Sequence, residues 1–428
     1  MTVSSPLQQD SGIPSTLEKA EESFPEGGLR AWLVVFGAWC GLQVQLAALG
    51  ITNTIAALQA YVSTHQLTGI GEDRIGWIFS LYTFLSFFCG VYIGPLFDKH
   101  GPRLLVFIGS LCIIGGLMLL SICHEYWHFL VVFGIINGIG CSLLFTPCLA
   151  AVGHFFQARR GLATGIASSG GSIGGIIFPF MLQSLIPNPS LGWPWALRIL
   201  GFSCLVLVSI ANLLVRSRLP GSQNASIHPD ISIFKNKVFF WTTVAVFFME
   251  MALFIPLGYI SSYALAQGFS EDFSFQVLMI MNAGSFFGRA LPGWWADRIG
   301  PFNANMLSII LSVVVCFAVW LPFGHTLPGL VVFAVTIGFA SGNNISITPV
   351  CIGKLCETQQ YGRYYATCFT VVSLACLLGI PLGGNLITAC EGSYWGLIVF
   401  TGCMFTVSLC TFAIARGLGA GWSINTVF

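Results

Sequence analysis

Charge is what this sequence has least of. Only 8% of its 428 residues are Asp, Glu, Lys or Arg, against 55% hydrophobic, whereas a water-soluble domain ordinarily carries about 25% charged residues. A chain so short of charge cannot keep most of its surface in water. The formal net charge of +1 gives no electrostatic basis for a nucleic-acid partner. No Gly-x-x-x-x-Gly-Lys-Ser/Thr stretch exists, so there is no P-loop to hold ATP, and the Gly417–Gly421 glycines follow an apolar run instead of a strand, which removes a dinucleotide reading. The fifteen cysteines stand mostly singly in apolar surroundings, without paired zinc-type spacings. His124 and His128 have helical ligand spacing, but nothing near them in sequence completes a metal site. No cofactor is expected. Nor does any His or Asp cluster within the apolar segments offer acid–base chemistry, which argues against an enzyme. Residues 1–24 are polar and lack the apolar core of a signal peptide, so they read as a disordered cytosolic tail.

What the chain does have is long apolar runs. No Asp, Glu, Lys or Arg occurs from Ala31 to Gly71, Leu104 to His124, Tyr126 to Ala158, Gly161 to Leu197, Ile299 to Gly353 or Tyr364 to Cys390. A helix needs about 20 mostly apolar residues to cross a bilayer. Dividing the runs at Pro, Gly and polar clusters predicts about twelve spans: 31–59, 75–96, 103–122, 127–152, 161–184, 197–216, 238–264, 274–296, 303–322, 328–350, 364–387 and 395–415. The fold class is therefore an all-α membrane protein. Cytosolic loops collect Lys and Arg. With a cytosolic N-terminus, fourteen of the seventeen fall inside, Arg74 and Arg198 fall outside, and Arg289 lies within a span. The expectation is a multi-pass protein of the cell membrane with both termini cytosolic.

The two halves of the sequence resemble each other. Gly94-Pro95-Leu96-Phe97-Asp98-Lys99-His100-Gly101-Pro102-Arg103 returns as Gly293-Trp294-Trp295-Ala296-Asp297-Arg298-Ile299-Gly300-Pro301-Phe302, an offset of 199. Leu130–Phe133 returns as Leu330–Phe333 at 200, and Thr146-Pro147 as Thr348-Pro349 at 202. Matches in one order at nearly one offset indicate two parallel repeats. The chain divides into a tail (1–30), a six-helix bundle (31–216), a cytosolic linker (217–237), a second six-helix bundle (238–416) and a C-terminal tail (417–428).

The Asp98-Lys99-x-Gly101-x-Arg103 stretch, with its echo at Asp297-Arg298-x-Gly300, is similar to the cytosolic loop motif of the major facilitator superfamily. Glycine permits the tight turn, and the aspartate can cap a neighbouring helix in a contact able to open as the protein alternates. Two further segments resemble the signatures of the monocarboxylate transporter family. One is Glu26-Gly27-Gly28-Leu29-Arg30-Ala31-Trp32; the other runs from His154 through Phe156, Arg159, Arg160, Gly161 and Gly165 to Gly170. With Asn53-Thr54 and Leu58–Tyr61 they are most similar to its fungal branch. The resemblance covers Glu26 to Arg416 and implies a secondary carrier with no ATP requirement.

Arg289 is the sharpest single residue. An arginine inside a span must face the protein interior or a wet cavity, because lipid exposure costs at least about 2.5 kcal/mol. In the family the chain resembles, the arginine at this place before Pro292 binds the substrate carboxylate and takes part in proton coupling. Glu250, near the middle of the seventh span, could carry a proton, bind a cationic group or merely neutralise Arg289. The resemblance also implies a lysine late in the first span and an aspartate one turn before the arginine. Asn53 and Ser285 stand there, so both charges are missing and a larger, less acidic solute becomes plausible. Asn53, Asn282 and Asn343 are candidate solute contacts; Gln43, Gln45, Asn137, Asn344 and Asn385 also lie within spans and need interior partners. The expected function is export of an organic acid or secondary metabolite, with protons as possible co-substrate. Proton-coupled uptake of a monocarboxylate or vitamin-like anion is one alternative, and a transporter-like nutrient sensor another.

Overall fold

The computed structural model describes residues 24–53, 72–186, 188, 190–221, 227–423 and 426–428, with the side chains of 45–53 and 72–76 left out. Among the described residues there are twelve long helices and no strands. They are α1 (Leu29–Asn53), α2 (Glu72–Phe88 and Gly90–His100), α3 (Arg103–Leu120), α4 (Tyr126–Gly153), α5 (Arg160–Leu185), α6 (Gly192–Leu214), α7 (Lys237–Ala266), α8 (Glu271–Ala290 and Pro292–Ile299), α9 (Pro301–Phe323), α10 (Leu327–Gly353), α11 (Tyr361–Ala389) and α12 (Trp395–Ala420). Ten are long and apolar enough to cross a membrane. Absent from the ten is α8, whose Gln276, Asn282, Ser285 and Arg289 dilute its apolar content. α1 joins them only as a shorter apolar stretch over its described part, Leu29–Val44.

The helices run longer than expected, and one consequence is a correction. Asp98 and Asp297 were expected in loops, but each belongs to the last turn of its helix, and the turn itself begins at Gly101 and Gly300. Both glycines have positive φ, +77° and +93°, a backbone region that side chains with a Cβ adopt only with strain.

Small residues decide how closely the helices approach. α5 carries two glycine faces about half a turn apart. Gly170 and Gly174 let it lie on the α1 backbone at Trp39 and Gln43, and Gly161, Gly165 and Gly175 let it lie on α8. Between helices surrounded by lipid, close packing of this kind replaces the hydrophobic drive available in water. Large apolar side chains such as Leu104, Phe107, Phe180, Phe202 and Leu213 point outward, as surfaces solvated by hydrocarbon do.

Both described chain ends lie at one face of the bundle. Glu26 donates its backbone N–H to Phe155 O, and its carboxylate accepts from the N–H groups of Gln157, Ala158 and Arg159 at 2.7–3.1 Å. Trp32 packs on Phe156 with ring centroids 5.2 Å apart. The two family-like signatures are thus one structure: the first clasps the loop that opens the second. At the other end Phe428 stacks on Phe302 and accepts its N–H. Arg416 holds the carbonyls of Gly421, Ser423 and Thr426. We call this side the terminal face.

Candidate transport site and closing contacts

The halves meet along two seams, α2 against α11 and α5 against α8, and each is closed at the terminal face by an aspartate. Asp98 accepts from the N–H groups of Gly362 and Arg363 at 2.9 and 2.8 Å, at the first turn of α11. Asp297 accepts from those of Gly161 and Leu162 at 2.7 and 3.0 Å, at the first turn of α5. In both cases a carboxylate from one half caps the positive end of a helix in the other, a contact worth on the order of 1 kcal/mol. Next inward come glycines. A methyl at Gly94 would run into Gly362 and Ala366, and one at Gly293 into the Gly161 backbone. Lys99 and Arg103 of the same motif are half-buried and exposed, and Arg298 lies over the Trp294 ring at 3.7 Å.

Arg159 is exposed, but Arg160, next to it in the same signature, is buried between the halves. Its guanidinium donates to Gly153 O at 3.3 Å and Gly353 O at 3.1 Å, the last residues of α4 and α10, and stands 4.3 Å over the Tyr361 ring. Gly153 and Gly353 are 200 positions apart, as the repeat requires. Gly161 and Gly362, capped in equivalent ways, set an offset of 201 that makes Tyr361 the counterpart of Arg160. A residue that touches its own counterpart sits on the axis relating the repeats. The sequence signal for this is the shared offset that pairs Gly153 with Gly353 and Arg160 with Tyr361.

Beside Arg160, His154 bonds Ser217 Oγ at 2.9 Å and packs on Phe97, while its carbonyl accepts from Arg218 Nε at 2.7 Å. Burial, then the charges of Arg160 and Arg218, push its imidazole from the ordinary 6.5 down to about 3, so the closed face holds it neutral.

Deeper in, Arg289 is 6% exposed. It donates from Nε to Ser285 Oγ at 3.3 Å and reaches across the seam to Ser168 O at 2.9 Å. Asn282, two turns earlier on the same α8 face, bonds Leu278 O and lies against Gly175 of α5. The hydroxyls of Ser168 and Ser172 on the facing side of α5 are buried without a partner among the described residues. Glu250, 3% exposed, feels the charge of Arg289, yet no ion pair joins them among the described residues. Tyr365, Cys368 and Cys376 of α11 lie near Glu250. Arg289, Asn282 and Glu250 are thus brought together. Asn343 is not: its amide is committed to Ala304 O and Ser308 Oγ of α9, within its own half. Asn137 likewise lies against Gly116 of α3. Asn53 ends α1, and its side chain lies outside the described residues.

Two alike sets of long apolar helices, latched at one face and holding a buried cation on their seam, have the build of a membrane transporter. The chain belongs to the Major Facilitator Superfamily, whose model matches residues 40–380. It is 37% identical to MFS-type transporter 1 of Ophiocordyceps sp. (strain BCC 1869), over 92% of this chain and 86% of the relative. It is 32% identical to the riboflavin transporter MCH5 of Saccharomyces cerevisiae, over 94% of this chain and 81% of that one. To the aspyridones efflux protein apdF of Emericella nidulans it is 36% identical, over 87% and 76%. In fold it matches the human organic anion transporter MFSD10 with a TM-score of 0.71 at 16% identity, covering 90% of this chain and 100% of that one.

Proposed function

We propose that this chain is a secondary carrier of the monocarboxylate-porter type, and not an enzyme, that exports an organic acid or secondary metabolite across the cell membrane. The observation that carries the reading is the state of Arg289. A buried arginine in a membrane bundle usually answers to a fixed counter-charge. Here it is held by a hydroxyl and a carbonyl, with Glu250 near but unbonded, so its charge is left for an anionic solute.

Two bundles, 31–216 and 238–416, rock about this site, and Asp98, Asp297 and Arg160 latch the terminal face in one of the two states. That face is cytosolic, in keeping with its Lys and Arg excess. Arg289 takes the acid group, Asn282 lines the path, and Glu250 with Arg289 carries the coupling proton. Relatives named for efflux of secondary metabolites support export. A relative named as a riboflavin transporter supports uptake of a vitamin-like anion as the second reading.

Comparing metabolites inside and outside cells with and without the chain identifies the solute and its direction. Counterflow of that labelled solute in reconstituted vesicles then tests the mechanism. Arg289→Gln should lower counterflow about 100-fold, the scale of a lost charge-assisted contact in a desolvated site, with an unchanged size-exclusion profile. Unaltered counterflow in that variant would remove Arg289 from the path, and no counterflow in the wild type would leave a sensor.

A further inference from the structure

The repeat makes the two seams comparable residue by residue. On the α8 and α2 sides, Ser285-Phe286-Phe287-Gly288-Arg289 corresponds to Ser86-Phe87-Phe88-Cys89-Gly90 at the offset of 199 set by Asp98 and Asp297. On the α5 and α11 sides, Thr164, Gly165 and Ser168 correspond to Tyr365, Ala366 and Phe369 at 201. Where Arg289 reaches Ser168, the counterpart seam therefore has Gly90 and Phe369. Gly90 packs on Ala366, as Gly165 packs on the Arg289 backbone. The place of the arginine is taken by rings: Phe87 lies 5.5 Å from Phe369 and 5.6 Å from Phe145, and Phe145 lies 5.8 Å from Phe369.

These rings reach the site. Phe254 stands one helical turn after Glu250 on α7, and its ring is 6.4 Å from Phe87 of the opposite half. It faces the other half and not lipid, yet it is only half-buried. Phe254 is thus a partly uncovered ring at the interface of the halves, one turn from the buried Glu250 and on the aromatic side of the bundle opposite Arg289.

We propose that Phe87, Phe145, Phe254 and Phe369 form an aromatic subsite that receives the ring system of an aromatic organic acid whose acid group is held at Arg289. The two poles lie at matching depth on opposite sides of the repeat axis. A short aliphatic acid engages the arginine alone. A flat unsaturated body adds edge-to-face and offset contacts with the rings, which saturated bodies of equal size do not make. The unpartnered Ser168 and Ser172 hydroxyls beside Arg289 supply further hydrogen bonds to the acid end. The substrate class is thus an aromatic acid long enough to span the chamber.

The inference rests on the carrier reading above, and its test separates the two. Purified protein in detergent is titrated calorimetrically with 2-naphthoate and with its fully saturated analogue, decahydro-2-naphthoate. The expectation is about tenfold tighter binding of the aromatic acid. Phe254→Leu with Phe369→Leu, which keeps the volume apolar and is checked by size exclusion, should bring the two acids to within about twofold. Arg289→Gln should weaken both acids together and preserve their ratio. Equal affinities in the wild type, a ratio unmoved by the double leucine variant, or no binding of either acid each overturns the subsite. Arg289-dependent counterflow that persists in any of those cases leaves the carrier reading standing.

Discussion

Read inward from the terminal face, the α2/α11 seam presents an aspartate, two glycines and then a phenylalanine cluster, whereas the α5/α8 seam presents an aspartate, two glycines and then a guanidinium. The shared outer part has one task in both copies: a carboxylate on a helix end and a backbone contact too close for a Cβ. The inner parts differ: one holds a buried guanidinium and the other a cluster of rings. The closing contacts are symmetric, and in the proposed reading recognition is not.

The comparison can be broken at its outer part first. A methyl at Gly94 meets the Gly362 carbonyl and the Ala366 methyl, while one at Gly165 meets chiefly the Arg289 carbonyl. Overpacking of this kind costs about 1–3 kcal/mol. Gly94→Ala should raise the rate at which a thiol reagent labels buried Cys351, followed by mass spectrometry, about 30-fold, and Gly165→Ala should raise it less. The reverse order would place the main contact on the other seam.

The aspartates come next. Asp98 is buried and Asp297 half-buried, and water replaces a lost contact more readily at the latter. Asp98→Asn is expected to raise Cys351 labelling about tenfold and Asp297→Asn about threefold; equal effects would show the latches to be interchangeable. The smallest effect belongs to His154, present on one side only. Its imidazole is held neutral while the face is closed and returns to its ordinary value once the halves part. The parted state therefore binds the proton. The closed arrangement keeps its full advantage above about pH 6.5 and loses it as pH falls from there. Acidifying from pH 7.5 to 6.5 lowers the intrinsic thiol reactivity equally in both proteins, so the wild-type labelling rate divided by that of His154→Gln at the same pH should rise about twofold. A His154→Gln protein with the same pH response would move the proton to another group.

Much of this was legible in the sequence. Length and charge spacing gave the helices, the repeat paired Asp98 with Asp297, whose contacts prove alike, and the cost of a charge in lipid put Arg289 inside, where it is buried. What escaped was direction. A soluble helix announces its inner face by amphipathic contrast, but α4, α10 and α11 are apolar nearly all round, so no pattern said that Asn343 turns to α9 while Phe369 turns to the other half. The same blindness hid Arg160. Nothing in the sequence sets it apart from Arg159 beside it, and only the neighbouring helix ends show that it is drawn inward.

One guanidinium on the repeat axis has a consequence for motion. Arg160 belongs to the first half, where it bonds Gly153 O, and it reaches Gly353 O of the second, so parting the halves strands the α10 carbonyl while the α4 carbonyl keeps its donor. In the proposed alternation the guanidinium therefore travels with the first bundle, held in place by Gly153 and ready to take Gly353 O again when the halves meet.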